Sequence, residues 1–236
     1  MQDAVELPLH KHRRPHRELI RRYKAHWAHK DYRLPMLYSF LVFIASMMVS
    51  LLAGHFAKTH ASNFASDIIL SNTPVFNVSD FFIYGTFLFV VMTAALAFAH
   101  PRRVAYTLFA LALFYFIRAA FVTMTHIAPF PERATSDFGV TIRSNFFGSD
   151  LFFSGHTGAP FLMSLIFWRD KKIRYLFLAW SIFFAVVVLL GHLHYTIDVA
   201  SAYFITYTIF CMAEVFFPEY RQLFYSDLTE EELEQE

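Results

Sequence analysis

Apolar and polar segments alternate along the chain at a spacing typical of membrane-spanning helices. The apolar runs cover residues 36–54, 80–99, 104–125, 151–168, 175–191 and 195–217. A hydrocarbon core of about 30 Å needs about 20 helical residues. In lipid, only a helix satisfies its own backbone amides in an open-ended span. The pattern therefore predicts an all-α membrane protein, a bundle of six transmembrane helices.

Composition supports a membrane protein and divides the chain into three predicted regions. The chain is 56% hydrophobic and only 17% charged, with a mean hydropathy of +0.40. We expect a basic N-terminal segment (1–35), a six-helix catalytic domain (36–217) and an acidic tail (218–236). A net charge of +1, with no basic stripe beyond the first segment, argues against a nucleic-acid partner. The single cysteine, Cys211, excludes a disulfide within the chain.

Basic residues predict the orientation of the spans. Of the 20 lysines and arginines, 16 fall on the face that holds both termini and three fall in the loops of the opposite face. By the positive-inside rule, both termini are predicted to be cytoplasmic, and loops 55–79, 126–150 and 191–195 to lie on the other side. The basic N-terminal segment either binds anionic lipid or only orients the first helix.

A first polar cluster opens the fourth predicted span, on the non-cytoplasmic face. It contains Asp150, Ser154, Gly155 and His156. Free backbone N–H groups and the helix dipole favour a phosphate at a helix start, and glycine permits its close approach. His156 is placed to protonate a leaving alkoxide or to deprotonate an incoming hydroxyl.

A second cluster opens the sixth predicted span on the same face. His194 and Asp198 are four residues apart and share a helix face. The carboxylate can fix the imidazole tautomer and leave the other ring nitrogen as a nucleophile. Together the two clusters form a phosphoryl-transfer set. The alternatives are packing histidines, or a metal site with His192; the i, i+2 spacing of His192 and His194 disfavours the metal, and none is predicted.

These motifs resemble the sphingomyelin synthase branch of the type 2 phosphatidic acid phosphatase (PAP2) superfamily. The resemblance rests on Ser-Gly-His-Thr at 154–157 and on His-Tyr-Thr-Ile-Asp-Val at 194–199, and extends weakly to Tyr115-x-x-Arg118 and Pro129-x-Pro131. It covers roughly residues 100–210. It implies six helices and a catalytic triad without a cofactor. His194 would take the headgroup from a glycerophospholipid. Asp198 would orient His194, and His156 would serve release of diacylglycerol and activation of ceramide.

The chain departs from this family in ways that affect its partners. We expect no N-terminal helical interaction domain of the kind found in some relatives, because the predicted cytoplasmic segment is short. The superfamily's upstream basic phosphate-binding motif is also missing in its usual form, as it is in the sphingomyelin synthase branch. Relatives that use choline or ethanolamine headgroups carry an acidic residue where this chain has Leu193. An uncharged polyol headgroup, or water as acceptor, therefore becomes more plausible. The expected partners are membrane lipids: a glycerophospholipid donor and ceramide or a diacylglycerol-like acceptor. A homo-oligomer is left open.

Arg118 lies inside the third predicted span and has two interpretations. It is either a phosphate clamp or the structural partner of a buried acid such as Asp150. With Tyr195 and Leu193 beside the nucleophile, these residues complete the predicted substrate and phosphate contacts. Two rival functions remain: a lipid phosphate phosphatase that uses water as acceptor, and a non-catalytic lipid-binding membrane protein.

Overall fold

The computed structural model describes residues 15–28, 30–134 and 152–226. Within these ranges the protein is all-α, as predicted, and contains no β-strand. Its helices are α1 (Pro15–Ala28), α2 (Lys30–Thr59), α3 (Ser79–Phe98), α4 (Pro101–Met124), α5 (Gly155–Ile166), α6 (Lys171–Leu190), α7 (Thr196–Phe216) and α8 (Pro218–Tyr225). A short 3₁₀ helix, Leu70–Asn72, interrupts the connection between α2 and α3.

Five of these helices are long and apolar enough to cross a membrane: α2, α3, α4, α6 and α7. They match five of the six predicted spans. The fourth predicted span is different, because its helix α5 has only 12 residues and is about 18 Å long. Six full-length spanning helices are therefore not confirmed. The sidedness of the termini remains a prediction.

Helices α5 and α6 form an antiparallel hairpin. Asp170 caps the start of α6 by accepting hydrogen bonds from the amides of Lys172 and Ile173. Further along, the Ser181 hydroxyl donates to the carbonyl oxygen of Thr157 at 2.8 Å. Ser181 lies nine residues before Leu190, where α6 ends, and α5 begins two residues before Thr157. The start of α5 is therefore level with a point about seven residues before the end of α6. At 1.5 Å per residue, α5 begins roughly 10 Å short of that end.

Helix α5 packs very closely against α4 and α7 at Gly158. A Cβ atom at this position would lie 2.8 Å from the Thr206 hydroxyl oxygen and 2.9 Å from the Phe114 ring. Thr206 and Phe114 are both fully buried. Only glycine permits this approach, so it fixes where α5 sits between its neighbours.

Helix α8 opens the segment that was predicted to be an acidic tail (218–236), and it packs against the bundle. Residues 218–225 are helical, and Phe224 is only 2% exposed. The guanidinium of Arg221 and the hydroxyl of Tyr225 both donate to the carbonyl oxygen of Ile166, each at 2.7 Å. Because Ile166 ends α5, α8 satisfies a carbonyl that the short helix would otherwise leave unpaired.

Helix α1, in the described part of the basic N-terminal segment, packs on the turn between α3 and α4. The Tyr23 hydroxyl of α1 donates to the carbonyl oxygen of Phe98 at 2.9 Å. Arg102 Nε donates to His26 Nε2 at 3.2 Å, and His26 is 7% exposed. These contacts fix α1 to the bundle, whether or not the segment also binds lipid.

Candidate active site

His194 and Asp198 form a buried pair at the start of α7. The Nδ1 atom of His194 lies 3.4 Å from Asp198 Oδ2, and the two side chains are 7% and 1% exposed. The same carboxylate oxygen accepts the amide of Tyr195 at 2.9 Å. A carboxylate facing Nδ1 favours the tautomer with its proton there, which leaves Nε2 unprotonated. This is the arrangement required of a histidine nucleophile.

The start of α5 is bonded directly to the start of α7. Ser154 occupies the N-cap of α5, where its hydroxyl accepts the Thr157 amide at 3.4 Å. The amide of Ser154 donates to the carbonyl oxygen of Asp198 at 3.0 Å. One backbone hydrogen bond therefore joins two motifs that are more than 40 residues apart, and both helix starts lie in the same layer.

Arg118 of α4 reaches the same place from a third helix. Its side chain is 6% exposed, and its Nε donates to the carbonyl oxygen of Phe153 at 3.0 Å. A Cβ atom on Gly155 would lie 3.0 Å from that Nε. The guanidinium thus lies against the first residue of α5, where a phosphate clamp would have to be. The alternative partner, Asp150, lies outside the described residues.

His156 lies one residue further into α5 and is half-buried between aromatic side chains. Its ring centroid is 4.3 Å from that of Phe82 and 5.7 Å from that of Phe184. These rings come from α3 and α6, so five helices (α3, α4, α5, α6 and α7) contribute to this region. An aromatic environment of this kind limits the access of water to the imidazole.

Three further residues singled out by the sequence lie in the packing of the loops around the His194–Asp198 pair. His192 adopts a positive φ of 53°, and its Nδ1 and Nε2 face the Glu132 carbonyl oxygen and the Thr73 hydroxyl at 2.9 and 3.3 Å. Leu193 packs on an apolar cluster that includes Val78. Both ring nitrogens of His192 therefore face loop residues, Glu132 and Thr73.

Tyr195 is also bound to the loops. Its hydroxyl donates to the carbonyl oxygen of Ala128 at 2.7 Å and accepts the Ala65 amide at 3.2 Å. Burial raises the pKa of this phenol, and the carboxylates of Asp198 and Asp67 add to the rise. The hydroxyl is therefore a neutral donor at physiological pH, and the phosphate contact predicted for Tyr195 stays a prediction.

Asp67 is a residue of this region that the sequence did not indicate. Its carboxylate accepts the Thr196 amide and hydroxyl at 2.7 and 2.6 Å. Burial alone would raise its pKa, but hydrogen bonds from Thr196, Leu70 and Ile69 outweigh burial and hold the pKa below its usual value. No local pattern marks this aspartate, because its partner is 129 residues away.

Within the described ranges, no group of three or more histidine, cysteine, aspartate or glutamate side chains is arranged to hold a metal ion. The chemistry available to these residues is that of imidazole, carboxylate, guanidinium and backbone amides. The arrangement combines a candidate nucleophile, its orienting acid and an anion cradle.

Comparison with known proteins supports one superfamily. The family model for the PAP2 superfamily C-terminal domain matches residues 148–215, the segment that contains both motifs. No curated protein and no solved structure gave a significant match. The match supports the superfamily, and with it an integral membrane enzyme of the lipid phosphatase or phosphotransferase kind. It does not distinguish the sphingomyelin synthase branch from others.

Proposed function

We propose that the protein is a membrane lipid phosphotransferase, similar to the sphingomyelin synthases, that works through a phosphohistidine on His194. The hydrogen bond from the Ser154 amide to the Asp198 carbonyl oxygen carries the proposal. It holds an anion-binding helix start beside a buried histidine–carboxylate pair. Such proximity is what phosphoryl transfer requires, because catalysis there is mostly positioning and electrostatic stabilisation.

The first half-reaction forms the covalent intermediate. Nε2 of His194 attacks the phosphorus of a glycerophospholipid, and the bond from phosphorus to the diacylglycerol oxygen breaks. His156 gives a proton to the departing alkoxide, so that diacylglycerol leaves neutral. Asp198 stabilises the positive charge that develops on His194. Arg118 and the backbone amides at the start of α5 offset the negative charge on the phosphoryl oxygens.

The second half-reaction reverses the roles. His156, now unprotonated, takes the proton of a lipid hydroxyl such as that of ceramide. The hydroxyl oxygen attacks phosphorus, the bond from phosphorus to Nε2 breaks, and His194 returns to its starting state. No metal or cofactor takes part. Donor and acceptor would both reach the site from the membrane, between helices.

Leu193 bears on the headgroup. It is half-buried and packs on an apolar cluster, so it offers no charge to a choline or ethanolamine cation. We therefore favour an uncharged polyol headgroup. Comparing labelled phosphatidylinositol or phosphatidylglycerol with phosphatidylcholine as donors tests this preference.

A lipid phosphate phosphatase is the second candidate, because the match to the PAP2 superfamily favours it equally. It shares the first half-reaction, and water replaces the lipid hydroxyl in the second. A non-catalytic lipid-binding protein is the candidate of another class. Its weakness is that it leaves unexplained a buried histidine–carboxylate pair bonded to an anion-binding helix start.

One assay separates these candidates. Purified protein in liposomes is given headgroup-labelled phospholipid with and without ceramide and, in a parallel sample, phosphate-labelled phosphatidic acid. Label in a new lipid that requires ceramide supports transfer; label in a water-soluble phosphate or phosphoester supports the phosphatase; neither supports a binding protein. His194→Ala should abolish turnover, whereas His126→Ala, at an exposed histidine outside the site, should not. Turnover retained by His194→Ala would show that His194 is not the nucleophile. Turnover lost in strong chelator would favour the alternative of a metal site with His192.

The site is further proposed to face away from the cytoplasm, with both termini cytoplasmic. Single cysteines placed at Asn72 and Ser226, with Cys211→Ser as background, test the orientation with an impermeant thiol reagent on sealed vesicles. Labelling from opposite sides at the two positions is expected. Labelling from the same side would contradict it.

A further inference from the structure

The helix that carries Asp198 has one capping group of its own, because Asp198 Oδ2 accepts the amide of the N-cap residue, Tyr195, at 2.9 Å. The Tyr195 hydroxyl is bonded to the loops instead of the first turn, so the amide of Thr196 needs an acceptor from outside the helix. The first amides of a helix need acceptors, and a helix start that lacks them frays. In α7 this start lies between His194 and Asp198, the pair whose spacing matters most.

Asp67 supplies the missing acceptor from a distant loop. One carboxylate oxygen accepts the Thr196 amide at 2.7 Å, and the other accepts the Thr196 hydroxyl at 2.6 Å. The second oxygen also accepts the amides of Ile69 and Leu70, at 2.9 and 3.0 Å. A single carboxylate therefore caps α7 and the 3₁₀ helix of its own loop at once, and its charge favours the positive end of the α7 dipole.

The loop of residues 60–78 is bound to the approach to α7 at several other points. Ala65 donates its amide to the Tyr195 hydroxyl, and Thr73 contacts His192. Leu70 packs in one buried cluster with Tyr195. Because these contacts hold the loop, they also hold the Asp67 carboxylate in place. The carboxylate in turn fixes the position of Thr196 through its two hydrogen bonds.

We propose that Asp67 is a positioning residue for the active site: it fixes the first turn of α7 and thereby the distance between His194 and Asp198. This inference rests on the proposed function. Asp67 touches neither member of the pair; it acts through Thr196. If the cap is lost, the first turn frays, the carboxylate leaves His194 Nδ1 for part of the time, and the fraction of competent enzyme falls. Substrate binding at the start of α5 should change little, because that start keeps its own N-cap, Ser154, and the contact of Arg118 with Phe153.

The test compares Asp67→Ala and Asp67→Asn with Asp170→Ala. Asp170 is a matched control because it caps α6 with two amide hydrogen bonds but lies at the opposite end of the hairpin. For Asp67→Ala we expect kcat to fall roughly 5- to 30-fold, which is the factor that corresponds to the free energy of one lost helix cap. We expect KM to stay within about twofold of the wild-type value. The kcat of Asp67→Asn should fall less, because the amide keeps one oxygen acceptor. Asp170→Ala should keep wild-type kcat, even if its melting temperature falls.

Amide hydrogen exchange over residues 194–200 gives a readout that does not need substrate. Asp67→Ala should speed exchange there, and Asp170→Ala should not. Wild-type kcat in both Asp67 variants, or equal loss of kcat in Asp67→Ala and Asp170→Ala, would overturn the inference. If the wild type shows no turnover, the proposed function fails, and exchange alone then decides the capping role: unchanged exchange overturns it.

Discussion

Gly158→Ala is the substitution whose consequence the packing defines most sharply. The added Cβ would lie 2.8 Å from the Thr206 hydroxyl oxygen and 2.9 Å from two ring atoms of Phe114. Contacts under 3.0 Å are essentially never seen for real Cβ atoms. Both neighbours are fully buried and come from two different helices, so neither can turn aside into solvent. Helix α5 must therefore move away from α4 and α7.

The size of the effect follows from that movement. Ordinary contact begins near 3.4 Å, so α5 must shift by about 0.6 Å. Overpacking of this kind costs about 1–3 kcal/mol, and alanine regains about 0.5–1 kcal/mol in helix propensity. The midpoints of these ranges leave a net loss of about 1 kcal/mol, which lowers the melting temperature by about 2–4 °C in a chain of this size. Since misplacement by 1 Å can cost about 100-fold in rate, turnover should fall about tenfold.

The assay pairs thermal unfolding in detergent with turnover in liposomes. Gly85→Ala in α3 is the matched control: its Cβ would meet only the edges of the Phe183 and Phe184 rings, at 3.1 and 3.4 Å. Phe183 is half-buried and can yield. We expect this variant to stay within about 0.5 kcal/mol of wild type, since propensity offsets the contact. A Gly158→Ala protein that melts and turns over like wild type would refute the packing argument.

Three further predictions test other contacts. Asp198→Asn removes the charge facing His194 and should lower kcat by about 10³-fold or more with little change in melting temperature; near-normal turnover would contradict the orienting role. Arg221→Ala leaves the Ile166 carbonyl with one donor and should lower the melting temperature by about 2–8 °C, whereas His126→Ala should not; an unchanged value for Arg221→Ala would show that α8 does not stabilise α5. The lowered pKa of Asp67 means that its stabilising effect is complete at neutral pH and is lost as pH falls through that pKa. The melting-temperature gap between wild type and Asp67→Asn should therefore close in acid, and a constant gap from pH 7 to 3 would contradict this.

The long helices could be predicted because one signal, continuous apolarity, determines them. The fourth predicted span shows where that signal fails. Phe152 and Phe153 are as apolar as the helix that follows them, yet the chain becomes helical only after Ser154, which has extended backbone angles of −61° and 113°. Hydropathy is the same for an apolar extended segment and for an apolar helix, so it cannot distinguish them. Ser154 is a typical N-cap residue and marks the helix start, but it lies inside an apolar run that was read as one continuous span.

Only the local geometry of the candidate site could be predicted from the sequence. The spacing of His194 and Asp198 is local, and the helix period alone places them on one face. Asp67 and α8 depend on contacts between segments far apart in the chain, which spacing does not encode. Arg221 looked like a tail charge because its partner, the Ile166 carbonyl, is a backbone atom with no sequence signature.

The shortness of α5 has a consequence for how any lipid would meet this protein. Its first residue lies roughly 10 Å short of the end of α6. If that end of α6 lies at the membrane surface, this is the depth where acyl chains usually begin. A phosphate held at Gly155 would sit below the headgroup layer, so the bilayer must thin locally or the lipid must sink past its neighbours. Membrane thickness should then act as a control on the reaction, with thinner bilayers easing access to the site.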